Sequence, residues 1–253
     1  MTARKVVAIV QARMSSSRLP GKVLADLGGQ PMLAWVLRRT QRTAGVDQVI
    51  LATSAEAEDD AIQAFCQQAG FACYRGSLHD VLDRYMGAAR QSEADIILRI
   101  TGDCPFIDPG LLSEYLREFL QAEPPLDFAA NRLPDERTIS IGLDAEFCTR
   151  AALETAWGEA KEPHQREHVM PFFYENLQRF HIRHFKHEPS YGHLRWTVDT
   201  AEDLELARRI VAEFPDDTFT WQDILALFER KPELAQVNAG VQHKHYRDAD
   251  VRR

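Results

Sequence analysis

Three cations stand on one short segment, Gln11-Ala12-Arg13-Met14-Ser15-Ser16-Ser17-Arg18-Leu19-Pro20-Gly21-Lys22, directly after an apolar run, Val6-Val7-Ala8-Ile9-Val10. Arg13, Arg18 and Lys22 supply charge, and the small residues between them let backbone N–H groups close on an anion. These are the parts of a phosphate cradle. The segment has neither the GxGxxG spacing of a dinucleotide fold nor the GxxxxGK[ST] of a P-loop. A solvated basic loop is the plain alternative. Two aspartates fall at comparable places downstream. One apolar run ends in Gly102-Asp103-Cys104-Pro105; another, Arg195-Trp196-Thr197-Val198, ends at Asp199, with Thr200 and Asp203 spaced to cap a following helix. Two carboxylates with phosphate oxygens and water are what Mg²⁺ takes, because it wants six oxygens and dehydrates reluctantly. Closing a turn is the plain alternative for each aspartate.

For these groups to meet, the elements carrying them must end on one side of a common sheet. Residues 5–11, 48–53, 71–75 and 95–101 are short β-branched runs that read as strands. They alternate with helical periodicity at 32–43, 56–69 and 81–92. That alternation predicts an α/β fold: a mostly parallel, Rossmann-like sheet with helices on both faces and the first strand central. In such sheets ligands bind beyond the carboxyl ends of the strands, where the cationic segment leaves. Asp108-Pro109 begins a further helix, which ends before Pro124-Pro125. Beyond it, strand segments at 127–131, 141–149, 181–186 and 195–199, with a helix at 164–178, suggest a smaller mixed α+β insertion that completes the sheet. Two closing helices are expected at 202–214 and 221–229. The implied divisions are a nucleotide-binding core at 1–125, the insertion at 126–200, C-terminal helices at 201–237 and a loose tail at 238–253.

The chain has 253 residues, 45% of them hydrophobic, and 30 Lys+Arg against 38 Asp+Glu give a net charge of −8. That composition excludes disorder and collagen and fits one large or two small domains. No apolar run approaches the roughly 20 residues of a membrane helix, and the opening residues carry no cleavage signal, so a cytoplasmic location is expected. The four cysteines show no CxxC spacing and read as reduced and mostly structural. Charge is uneven: residues 1–43 hold +7, leaving −15 for the remainder. A small anion, rather than a nucleic acid or a membrane, is the expected ligand of the N-terminal region.

The cationic loop, Gly102-Asp103-Cys104-Pro105 and Val198-Asp199-Thr200-Ala201-Glu202-Asp203-Leu204 together resemble the cytidylyltransferases that activate sugar acids, the CMP-ketodeoxyoctonate and CMP-acylneuraminate synthetase type. Within that type the chain is similar to the branch described as spore coat polysaccharide biosynthesis protein F. Tyr74-Arg75-Gly76, Asp80-Val81-Leu82-Asp83-Arg84-Tyr85, Gly142-Leu143-Asp144 with Glu146, and Arg166-Glu167-His168-Val169 carry that likeness. The resemblance implies a nucleotide-diphospho-sugar transferase fold, Mg²⁺ dependence, a homodimer, and the reaction of CTP with a sugar acid to give CMP-sugar and pyrophosphate. On it, Arg13 and Lys22 hold the triphosphate, with Ala12, Ser16 and Arg18 in the same loop. Arg13, Lys22 and Asp103 are the expected catalytic set, and Asp103 and Asp199 the metal ligands. Arg75 and Thr101 fall where such enzymes approach the base, Thr101 replacing the glutamine of the ketodeoxyoctonate enzymes. Asp144, Glu146, Arg166, His168 and Arg195 fall where the acceptor is expected, either arginine being able to pair with its carboxylate.

Other readings compete. His164-Gln165-Arg166-Glu167-His168 matches the H-x-x-E-H pattern of a zinc peptidase, which needs a third ligand. His181, His184 and His187 alternate along a strand, so His184 faces away from the other two. Trp196 reads as core. A metal-dependent glycosyltransferase shares the expected architecture, but acting on a diphosphate it relies mainly on its metal and needs fewer cations after the first strand. A nucleotidyltransferase using another NTP, or a non-catalytic nucleotide-binding subunit, completes the set.

Overall fold

The computed structural model describes residues 4–134 and 136–242. Its centre is a seven-stranded sheet formed by β1 (Val6–Gln11), β2 (Gln48–Ser54), β3 (Ala72–Gly76), β4 (Ile96–Thr101), β5 (Phe128–Ala130), β6 (Glu146–Thr149) and β7 (Ile182–His184). Their order is β7-β5-β6-β4-β1-β2-β3. All neighbours pair in parallel except β6, which runs antiparallel to both β4 and β5. Helices α1 (Met32–Gln41), α2 (Asp60–Ala69), α3 (Val81–Gln91) and α4 (Pro109–Gln121) lie in the first half of the chain. They are followed by α5 (Arg150–Glu159), α6 (Pro163–His168), α7 (Pro171–Glu175), α8 (Ala201–Val211) and α9 (Trp221–Arg230).

β1 shows why the sheet is covered on both faces. Val6, Ala8 and Val10 belong to one apolar cluster, while Val7 and Ile9 belong to the other. Successive side chains of a strand point to opposite faces, so a strand that is apolar throughout must be covered twice. Helix starts follow local chemistry. Asp80 accepts from the Asp83 N–H, Asp108 from the Leu111 N–H ahead of Pro109, and Thr200 and Asp203 form a reciprocal capping box. Each such cap contributes about 1 kcal/mol.

Registry brings the future site together. Gln11 pairs with Thr101 across β1 and β4, so the cationic loop and the Gly102–Asp103 turn leave the sheet side by side. Gly102 donates its N–H to the Gln11 carbonyl at 2.7 Å, and a Cβ there would lie 2.8 Å from that oxygen and 2.9 Å from the Ala12 Cβ. Only glycine allows that approach. The distant segment 195–199 arrives by another route. Ile141 makes a single parallel bridge with Arg195, and Gly142 turns at φ 106° directly against the Thr197 backbone. The Val198 N–H then donates to the Asp103 carbonyl at 2.8 Å.

Several expectations need correction. Residues 195–199 form no strand of the sheet, making only the one bridge with Ile141, and of 141–149 only Glu146–Thr149 joins the sheet. The single helix expected at 164–178 is two short ones. The chain reverses at Val169 (φ 71°), and Pro171 has no N–H with which to continue the first ladder. Helix α5 was not anticipated, although the Thr149 hydroxyl caps it. The expected tail starts on an anchored residue: Asn238 is buried and donates its amide to the Arg195 carbonyl and to Asp203. The remainder of that tail, 243–253, lies outside the described residues. Among the described residues no helix is long and apolar enough to cross a membrane.

Candidate active site

Beyond the carboxyl ends of β1 and β4 lies a cavity of about 280 Å³. Six cations face it, Arg13, Arg18, Lys22, Arg84, Arg99 and Arg132, against five carboxylates, Asp103, Asp144, Glu146, Glu167 and Asp199. Ala12, Ser16, Thr101 and His168 complete the part expected from the sequence.

The cationic loop is held as a shaped turn. Met14 donates its N–H to the buried carboxylate of Asp59 at 2.7 Å, and that carboxylate also accepts from the Ser54 N–H and hydroxyl at the end of β2. Gly21 adopts φ 72° and closes the loop on the Met14 carbonyl at 2.8 Å. This swings Lys22 inward, where its Nζ donates to Asp103 Oδ2 at 2.9 Å, Asp199 Oδ1 at 2.8 Å and the Val198 carbonyl at 2.8 Å. Burial by itself would depress the lysine, but the two carboxylates outweigh it and raise its pKa above the ordinary value. Burial would likewise raise Asp199, but the ammonium of Lys22, then Arg18 and Arg195, hold its carboxyl well below the usual range. Arg18 and Arg195 each reach Asp199 Oδ2 at 2.8 Å.

Three oxygens thus converge on one cationic atom, two of them carboxylate and one carbonyl. Hard oxygens of that kind suit Mg²⁺, and only two side chains contribute, which matches an ion that completes its six oxygens from phosphate and water. No group of three or more His, Cys, Asp or Glu side chains able to hold a metal occurs among the described residues. The two carboxylates and the carbonyl present therefore fit an ion of that kind, and among the described residues no three-ligand zinc site accompanies them. His164 Nε2 lies 2.8 Å from Glu175 Oε1, while His168 faces the cavity. Trp196 is core, packed near Phe228.

Arg75, Arg166 and Arg195, expected at the base and acceptor, are absent from the cavity wall. Arg75 donates to the Ser54 and Glu56 carbonyls, Asp60 and Gln63, tying β3 to the start of α2. Arg166 is taken by both oxygens of Asp80 and by the Trp157 carbonyl. Arg195 pairs twice with buried Asp203 and supports Asp199 from beneath. These three lie outside the cavity lining, each engaged by carboxylate or carbonyl partners.

Sequence reasoning missed Arg84, Arg99, Arg132 and Glu167. A signal existed for Arg99, because a charge inside Ile96-Ile97-Leu98-Arg99-Ile100 must be paired, and strand alternation puts it on the face of Thr101. Arg84 is buried with no carboxylate in ion-pair range among the described residues. Burial, reinforced by Arg13, lowers its pKa to about 10.

A sheet of this order with a cationic first loop and paired aspartates defines a nucleotidyltransferase-like architecture. The cytidylyltransferase family model matches residues 7–244, and the chain belongs to that family. It is 31% identical to the spore coat polysaccharide biosynthesis protein SpsF of Bacillus subtilis over 242 residues, covering 91% of this chain and 96% of the relative. A cytidylyltransferase of Leptospira borgpetersenii superposes with a TM-score of 0.89 at 32% identity, covering 95% of this chain and all of that one. A CMP:2-keto-3-deoxy-manno-octonic acid synthetase solved with CTP superposes at 0.64 and 25% identity, over 83% of this chain and 99% of that one.

Proposed function

We propose that the chain transfers the CMP unit of CTP to a hydroxyl of a sugar acid and releases pyrophosphate, with Mg²⁺ held by Asp103 and Asp199. The observation that carries this reading is the meeting of Lys22 with both aspartates beside a loop bearing Arg13 and Arg18. The relatives support it: one is named for polysaccharide biosynthesis, and another was solved as a synthetase with CTP.

Each residue then has a role set by charge and place. Arg13, Arg18 and Lys22 neutralise the triphosphate, and the serines of the loop bring N–H and hydroxyl donors to its oxygens. Bound Mg²⁺ would supply charge neutralisation at the phosphate oxygens and orient them. The acceptor oxygen forms its bond to the α-phosphorus as the bond to the bridging α,β-oxygen breaks. Pyrophosphate leaves with that electron pair and the hydroxyl proton passes to solvent. In-line placement and charge neutralisation suffice for such a displacement without a covalent intermediate. Lys22, held charged by its two aspartates, serves as a fixed cation and not as a base.

The test is pyrophosphate release from each of the four NTPs with a panel of sugar acids and Mg²⁺. CTP with one acid is expected to react, and Asp103→Asn to abolish Mg²⁺-dependent release while the far-UV circular dichroism spectrum stays native. Silence of every NTP and acid pair, or near-normal turnover by the variant, would sink the reading.

A further inference from the structure

We infer that Asn238, at the head of the C-terminal segment, is a positioning residue for the metal site: through Asp203 and Arg195 it fixes the direction of the Asp199 carboxylate. This rests on the reading of Asp199 as a metal ligand.

Asn238 is buried and is not part of the cavity wall. Its amide donates at 2.8 Å to Asp203 Oδ1 and at 3.1 Å to the Arg195 carbonyl. Arg195 Nε shares Asp203 Oδ1 with it, at 2.9 Å. The other oxygen, Asp203 Oδ2, accepts from Arg195 Nη2 at 2.9 Å and from the Asp199 and Thr200 N–H groups at 3.0 and 3.1 Å. Arg195 Nη2 also donates to Asp199 Oδ2 at 2.8 Å. One amide therefore grips both the backbone of the arginine that holds Asp199 and the carboxylate that holds this arginine. Further along the segment, the Gln242 carbonyl lies 3.5 Å from Arg18 Nη1, and Arg18 also reaches Asp199 Oδ2.

The two oxygens of Asp199 are thereby given different tasks. Oδ2 is taken by two guanidinium groups, which leaves Oδ1 to meet Lys22 Nζ beside Asp103. An ammonium is a compact charge with rotatable donors and accepts a range of oxygen directions. Mg²⁺ does not, because it demands near-ideal octahedral geometry at about 2.0–2.1 Å. Freedom of rotation at Asp199 therefore costs the ion more than it costs the lysine. Asp203 by itself does not remove that freedom, since a carboxylate and a guanidinium joined at both oxygens can still move as one unit. Asn238 ties down both members of the unit from a buried position.

The experiment is calorimetry of CTP binding with Mg²⁺ and, separately, with EDTA, on wild type, Asn238→Ala and Asn238→Leu, the last keeping the side chain's bulk without its donors. Arg39→Met serves as a chain destabilised away from the cavity. Wild type should bind CTP more tightly with Mg²⁺. Both Asn238 variants should reduce that enhancement about 10-fold, the lower end of what losing a partner behind a metal ligand costs. The Mg²⁺ concentration that half-saturates pyrophosphate release should rise by a similar factor, whereas Arg39→Met should keep the wild-type enhancement. A merely structural role would lower the thermal midpoint and leave the ratio of the two affinities alone. An unchanged ratio in folded Asn238 variants, or loss of the fold in both, would overturn the inference and leave the transferase reading standing. No effect of Mg²⁺ on CTP binding by wild type would overturn the metal assignment and the inference together.

Discussion

Replacing Lys22 by methionine keeps most of the side chain's apolar stem and removes one charge from the centre of the site. In the wild-type chain that ammonium satisfies Asp103, Asp199 and the Val198 carbonyl at once, within 2.8–2.9 Å. Breaking a buried pair by deleting one partner costs about 3–5 kcal/mol. Here the loss is smaller, because the Asp103 side chain is 26% exposed and can recruit water, and Asp199 keeps Arg18 and Arg195. About 2–3 kcal/mol is expected at pH 7. The pH dependence has a definite sign. Asp199 titrates well below the ordinary carboxylate range, so its contribution is present above about pH 4 and lost as pH falls through the folded value. Lys22 titrates above its ordinary value, so its contribution is present below about pH 10 and lost as pH rises through the folded value. The stability gap between wild type and variant should therefore be flat from about pH 5 to 10 and narrow on both sides. Urea unfolding across that range measures the gap. Calorimetry with CTP should show binding weakened about 10–100-fold, the worth of a charged contact. A gap near zero at pH 7 with unaltered CTP affinity would refute the account of the site.

Gly102→Ala should destabilise by about 1–3 kcal/mol, because the new methyl would press on the Gln11 carbonyl and the Ala12 Cβ where β1 and β4 diverge; a thermal midpoint equal to wild type would contradict that. Arg39→Met should destabilise by about 2–4 kcal/mol with little change in CTP affinity. It strands the carbonyls of Ile107, Asp217 and Phe219, which a buried guanidinium now satisfies far from the cavity. Denaturant midpoints and calorimetry together check both halves of that statement.

The parallel sheet, the central first strand and the cationic loop were legible because each depends on neighbours in sequence. Val6–Val10 is apolar at every position, Asp80 and Asp108 sit three residues before the N–H groups they cap, and Arg13, Arg18 and Lys22 share one loop. The region after Pro124-Pro125 was less legible. There, short segments gain their form from distant partners, as Arg195 does from Ile141 and Asn238 does from Asp203. Helix periodicity across 164–178 was real, but Pro171 and the turn at Val169 divided it.

The sequence by itself determined which chemistry was available: cations after the first strand, and aspartates following two apolar runs, all local features of composition and spacing. Only the tertiary structure decided which charges line the cavity and which do not. Arg75, Arg166 and Arg195 are consumed by Asp60, Asp80 and Asp203, whereas Arg84, Arg99 and Arg132 face the cavity. An arginine carries the same charge wherever it lies in the chain. Its direction is chosen by the carboxylates and carbonyls that folding brings within about 3 Å, because a buried charge without such a partner is too costly to keep.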